Sequence, residues 1–250
     1  MIELKSREER LALLPFYQNT GDTLLLSGLE GRLGRGFLSD DGQSALLLVQ
    51  GFVFLGGAAN AAFFRQAMQC DPGCFLTFSG RDDWLAIAKE WGAEIAMTRY
   101  AMDTPKAFDT EKLSSLACPP AGFVLRNADE ALYHACFSLP WCRDCVSAFS
   151  DYAAFRENGF AVMALKEGQI VAACGAYAFS AGQWEVEIDT HPDFRRQGLA
   201  AACGAAFLLH CLEKGRKPHW DAMTPISLAL AKKLGFIHPR AYRVQCREGD

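Results

Sequence analysis

The residues with the most chemistry in them crowd into one stretch, His191-Pro-Asp-Phe-Arg-Arg-Gln-Gly-Leu-Ala200. Before it, residues 184–190 alternate apolar and polar; after it, residues 198–214 form an Ala/Leu-rich run of helical character. A strand, a basic glycine-containing turn and a helix start together make a grip for a pyrophosphate. Unpaired backbone N–H groups point at the anion, and the helix dipole favours its charge. Gly198 permits close backbone approach, Ala200 leaves space, and Arg195 and Arg196 add positive charge. Two carboxylates, Glu185 and Glu187, lead into the turn and share one face of a regular strand. The plain alternative is an ordinary strand–turn–helix connection beside a solvated polar strand face.

Arg195-x-x-Gly198-x-Ala200, after an apolar strand and Pro192, resembles the acyl-CoA signature of the GNAT superfamily of N-acetyltransferases. Downstream, residues 218–236 resemble that superfamily's next strand and helix, closing on Leu234-Gly-Phe236. The resemblance covers residues 122–246. Over residues 160–250 the chain further resembles a branch of two-domain bacterial GNATs that includes an antibiotic-resistance acetyltransferase. The implied activity is transfer of acetyl from acetyl-CoA to a primary amine of a small molecule, by direct attack in a ternary complex and without a metal.

The resemblance also implies roles. Ile188 and Thr190, with Asp189 between them, offer backbone groups to pantetheine. Arg195, Arg196, Gln197, Gly198, Leu199 and Ala200 cradle the pyrophosphate. Thr224 and Ser227 stand at the head of the helix that passes the thiol end. A lysine-like amine must lose a proton, which at pH 7 costs roughly 4–5 kcal/mol, and a carboxylate is the usual remedy. One of Glu185 and Glu187 is expected to face the amine; in the resembling family a β-bulge often sits here, so counting does not decide which. Two positions depart from the family. Thr224 stands where Asn is frequent, and Ala231 where a tyrosine acid is frequent. The leaving thiolate would then rely on water, on Ser227, or on Tyr242 if the fold brings it close. The loss at Ala231 motivates a second reading, a non-catalytic acyl-CoA-binding or sensing module.

Composition sets the bounds. At 250 residues and 50% hydrophobic content the chain is long enough for one large domain or two small ones. A net charge of −4 and an acidic pI argue against nucleic acid as partner. The charged N-terminus and the lack of a long apolar run point to a cytoplasmic protein with no membrane span. Ten cysteines are scattered through apolar runs and read as reduced, buried thiols. Cys142-Arg-Asp-Cys145 lacks the preceding strand of a redox motif, and Cys70 and Cys74 do not complete a zinc site with it. The histidines, including His134, His191, His210, His219 and His238, read as structural. Arg216 and Lys217 read as complements to a helix dipole.

The elements around the turn make a mixed α/β class. In the C-terminal half, strands are expected at 123–126, 160–166, 170–179, 183–190, 218–223 and 241–246, with helices at 128–139, 147–157, 198–214 and 226–234. This reads as a GNAT fold with a mixed, mostly antiparallel sheet flanked by helices. Cys118-Pro-Pro120 marks the expected boundary, giving domains 1–118 and 119–250. The N-terminal domain carries the acidity and contains an echo. Leu85-Ala-Ile-Ala-Lys-Glu-Trp-Gly92 matches Leu228-Ala-Leu-Ala-Lys-Lys-Leu-Gly235 at five of eight positions. A smaller α/β scaffold or substrate-shaping domain, a degenerate half-repeat, is the expectation. Its turn near residues 55–60 has glycines but no basic residue. The glycine-rich run 28–36 reads as a flexible loop rather than a phosphate loop.

Overall fold

A computed structural model of the chain describes residues 1–18, 21–70, 75–78 and 82–247. The chain divides into two units, residues 1–99 with 241–250, and residues 100–240. Cys118-Pro-Pro120 is therefore not where the chain changes unit. It ends helix α5 (Thr110–Leu116), which already packs on a helix of the second unit. No helix among the described residues is long and apolar enough to cross a membrane.

The first unit runs β1 (Ile2–Leu4), α1 (Arg7–Leu11), α2 (Thr23–Leu29), β2 (Arg35–Leu38), β3 (Ser44–Val49), β4 (Phe52–Gly57), α3 (Ala61–Met68), β5 (Phe75–Phe78), α4 (Asp82–Glu90), then β6 (Ile95–Asp103). Its first five strands lie in the order β1-β2-β3-β4-β5, all antiparallel except the parallel pair β4/β5. The second unit runs α5, β7 (Val124–Asn127), α6 (Glu130–Ser138), α7 (Tyr152–Asn158), β8 (Ala161–Lys166), β9 (Gln169–Phe179), β10 (Gln183–Thr190), α8 (Leu199–Glu213), β11 (Lys217–His219), β12 (Asp221–Ala222), α9 (Pro225–Leu234) and the start of β13 (Ile237–Cys246). Its sheet is β7-β8-β9-β10-β11, antiparallel except the parallel pair β10/β11.

The two lists are one fold written twice: strand, two helices, three antiparallel strands, helix, parallel strand, helix. The echo of the sequence is thus a complete repeat rather than a half. It reaches the helix ends. Gly92 and Gly235 both adopt a left-handed φ after their helices. Ala93 N–H donates to Ala88 O and Phe236 N–H to Ala231 O, each at 3.0 Å. A glycine C-cap of this kind satisfies carbonyls that a helix end leaves bare.

Each core follows from alternation. In the first unit Val53 and Leu55 of β4 join Leu46, Leu48, Phe37, Phe64 and Trp84 in a buried cluster. The run 28–36 proves not to be a loose loop. Residues 23–29 are helical, and the buried Arg10 guanidinium donates to the carbonyls of Leu4, Gly28, Leu33 and Gly34. Carbonyls converging on an arginine are the reverse of an anion site. In the second unit, the strand expected at 218–223 is broken at Trp220 into β11 and β12. The helix expected at 147–157 starts only at Tyr152, where Asp151 caps it.

Candidate active site

Strand β10 sorts its side chains by alternation. Trp184 faces α8: its ring lies parallel to His210, centroids 6.1 Å apart, and its indole N–H donates to Asn158 O at 2.8 Å. Glu185, Glu187 and Asp189 therefore share the opposite face. Glu185 is 3% exposed, and its Oε2 lies 2.5 Å from His219 Nδ1. Glu187 is half-buried and accepts its neighbour's Ile188 N–H, at 3.3 Å. Burial, then the charges of Asp189 and Asp144, pushes its carboxyl up to about 8. Asp189 rises to about 6 for the same reasons, with Arg195 pulling the other way. Asp144 comes from a 3-10 turn, Arg143–Cys145, whose backbone sits so close to β9 that only glycine fits at Gly175.

A bulge sits where it matters. Glu185 lies opposite Ala178 and Val186 opposite Ala176, so β9 has one extra residue, Tyr177. An extra residue bends and twists its pair of strands. On the other edge, β10 pairs with β11 only at Gln183–Lys217, Trp184–Pro218 and Glu185–His219. From Val186 to Thr190 that edge has no strand partner among the described residues. The two strands part like a fork just beyond Glu185 and His219. On the free limb, the Thr190 hydroxyl oxygen is buried without a hydrogen-bond partner.

The turn closes the limb. Pro192–Phe194 forms a 3-10 turn, and Arg195 Nε donates to Thr190 O at 3.3 Å. Arg196 and Gly198 take left-handed φ values of 62° and 84°. Gly198 opens α8 with no side-chain cap. The first backbone bond into the helix is Ala202 N–H to Gly198 O, so the N–H groups before it face outward. Arg195, Arg196, Gln197 and Gly198 are exposed, Ala200 is half-buried, and Leu199 turns into the core. The Ile188 side chain packs toward Gly204 of α8, leaving its backbone on the fork. Among the described residues the first unit has no such opening. There β4 and β5 stay paired from Phe52 to Leu55, Asn60 caps α3 through Phe63 N–H, and Phe16 fills the space over Gly56 and Gly57.

Other expected residues have local duties. Thr224 caps α9 by accepting Ser227 N–H at 3.1 Å, and the Ser227 hydroxyl accepts the Trp220 indole N–H at 3.1 Å. Ala231 is fully buried on the same helix face as Leu234, so a phenol at this position would have no room. Tyr242 belongs to the first unit. Cys142 and Cys145 are buried thiols, and Cys142 Sγ lies 3.5 Å from Cys136 Sγ. Cys70 is exposed, and Cys74 lies outside the described residues. Among the described residues no group of three or more His, Cys, Asp or Glu is arranged to hold a metal ion. Sequence reasoning missed His219 and Asp144. Nothing in spacing marks them, since 34 residues separate His219 from Glu185.

A family model for the GNAT acetyltransferases matches residues 14–245. The chain belongs to this family. GNAT character therefore extends across both units, well beyond the residues 122–246 that carry the motif resemblance. An uncharacterized N-acetyltransferase of Bacillus subtilis strain 168, YdfB, is 30% identical over 177 residues. That match covers 68% of this chain and 65% of YdfB, just under two thirds of the relative's length. A GCN5-related N-acetyltransferase-like protein from Streptococcus suis 89/1591 superposes with a TM-score of 0.87 at 31% identity, covering 96% of this chain and 99% of that one. A tandem GNAT protein from the clavulanic acid biosynthesis pathway shares the fold, with a TM-score of 0.56, 14% identity and coverage of 95% and 90%.

Proposed function

We propose that this protein is an N-acetyltransferase that moves the acetyl group of acetyl-CoA to a primary amine of a small molecule. The observation that carries this reading is the uncapped start of α8 beside the open limb of β10. Outward backbone N–H groups, left-handed Gly198 and two exposed arginines suit a pyrophosphate. The unpartnered Thr190 hydroxyl and the unpaired edge of β10 suit the amides of a pantetheine arm. Acetyl-CoA would supply the acetyl group as a thioester. Likeness to a branch containing an antibiotic-resistance acetyltransferase favours a small, basic acceptor. So do the carboxylates of Asp144, Glu187 and Asp189, which attract a cation.

Of the two glutamates, Glu187 is the proposed base. Glu185 is engaged with His219, whereas a carboxylate pushed up to about 8 takes an ammonium proton far more readily than one at 4.5. Direct transfer in a ternary complex is favoured over a covalent acyl-enzyme. The nearby thiols Cys145 and Cys174 are buried, and burial holds both well above the usual thiol range. A non-catalytic acyl-CoA-binding module, motivated by the missing acid at Ala231, is the other reading. The test is calorimetric titration of acetyl-CoA into the protein and into an Arg195→Ala/Arg196→Ala variant. Binding that weakens at least tenfold in the variant supports the site. No binding by the unaltered protein refutes it, and binding without turnover over a broad amine panel selects the sensing module.

A further inference from the structure

The pair Glu185–His219 is not explained by the proposed chemistry, yet it stands at its centre. Both side chains are buried, at 3% and 8% exposure, and the two residues are register partners. They are the last pair before the fork opens. A carboxylate this far from water is costly unless an opposite charge meets it. Glu187 lies two residues further along the same strand face, about 7 Å away by strand geometry. Facing Glu187 are Asp189 and Glu185 from its own strand, and Asp144 and the Cys145 thiol from the 3-10 turn; the Cys174 thiol of β9, paired with Ile188, lies on the α8 face. Arg195 faces Asp189. His219 meets Glu185, which in turn acts on Glu187.

We propose that His219 is a positioning residue for Glu187: as an imidazolium paired with Glu185, it cancels that carboxylate's charge and so sets how readily Glu187 takes a proton. The role in catalysis rests on the acetyltransferase reading; the electrostatic coupling rests on the geometry alone. Removing the negative member makes Glu187 easier to ionise. Removing the positive member leaves a second bare carboxylate beside it and makes ionisation harder. A pair that only held β10 to β11 would move Glu187 in neither of these opposed ways.

The test is carboxyl carbon NMR of glutamate-labelled full-length protein, with the Glu187 signal assigned by its loss in Glu187→Gln. The expected order of Glu187 midpoints is His219→Gln highest, then the unaltered protein together with the double variant, then Glu185→Gln. Neighbouring steps should differ by about 0.5–1 pH unit. The acid limb of kcat/KM for acetyl transfer should follow the same order while KM for acetyl-CoA stays within about twofold. If His219→Gln does not fold, a midpoint in Glu185→Gln below that of the double variant still supports the coupling, and equal midpoints in those two overturn it. Equal midpoints in an enzyme that binds acetyl-CoA overturn the proposal and spare the acetyltransferase reading. Failure of the unaltered protein to bind acetyl-CoA removes that reading, and the catalytic role of His219 with it.

Discussion

Glu185 and Glu187 are the same residue type, two positions apart on one strand face, and the structure gives them different lives. Glu185 is sealed against His219, while Glu187 is half-buried and held among other carboxylates. Replacing Glu187 by Gln should lower kcat by roughly 10²–10⁴-fold with little change in KM for acetyl-CoA, in steady-state kinetics. The same residue governs a stability trend. Its folded pKa, about 8, lies above its ordinary 4.5, so its ionisation opposes folding. Below pH 4.5 there is no penalty; between pH 4.5 and 8 stability drains away, and above 8 the loss is complete. Glu187→Gln lacks this drain. Its melting temperature should exceed that of the unaltered protein by an amount that grows from pH 5 to pH 8 and then levels off. Melting curves across that range check the sign.

At the scale of elements, the contrast between α8 and α3 is the most instructive. Both follow an analogous strand and turn, but Asn60 satisfies the start of α3, whereas α8 opens on a bare Gly198. Gly198 has open space around it, so a methyl group meets only the strain of a left-handed φ. Gly198→Ala should cost about 1 kcal/mol or more in turn geometry and weaken acetyl-CoA binding severalfold in calorimetry, with a small loss of melting temperature. Arg10 makes the opposite case, an element held for stability alone. Arg10→Met would remove four hydrogen bonds to backbone carbonyls, two of them buried and two part-buried. Urea unfolding should show a loss of about 3 kcal/mol, with acetyl-CoA affinity unchanged in the folded protein. The glycines of run 28–36 were visible in the sequence; the arginine 18 or more residues away that pins them was not.

At the scale of the molecule, one fold is present twice and only one copy keeps its fork open. In the first unit β4 and β5 remain paired, Phe16 occupies the ground over Gly56 and Gly57, and the helix start is capped. Calorimetry should therefore return one acetyl-CoA per chain, not two. A stoichiometry of two would mean that the first copy opens. The repeat also accounts for the ambiguous sequence signal. Helix α4 and its glycine cap are constrained by backbone geometry and kept their residues. The pyrophosphate turn of the first copy, with no such constraint, has no basic residue left near Leu55-Gly-Gly-Ala-Ala-Asn60.

The sequence by itself determined the α/β class, the strand–turn–helix around Gly198, the family signature and the location of two candidate carboxylates. Those features are local: alternation, glycine, helix starts and charge within a few residues of each other speak through short-range sterics and dipoles. The tertiary structure decided which carboxylate is buried against a histidine, that β10 parts from β11 after Glu185, and that the N-terminal unit repeats the fold in full. It also moved the unit boundary away from Cys118-Pro-Pro120. Each of these depends on pairing between residues far apart in the chain. Strand register, burial and the field felt by Glu187 arise only when those partners meet.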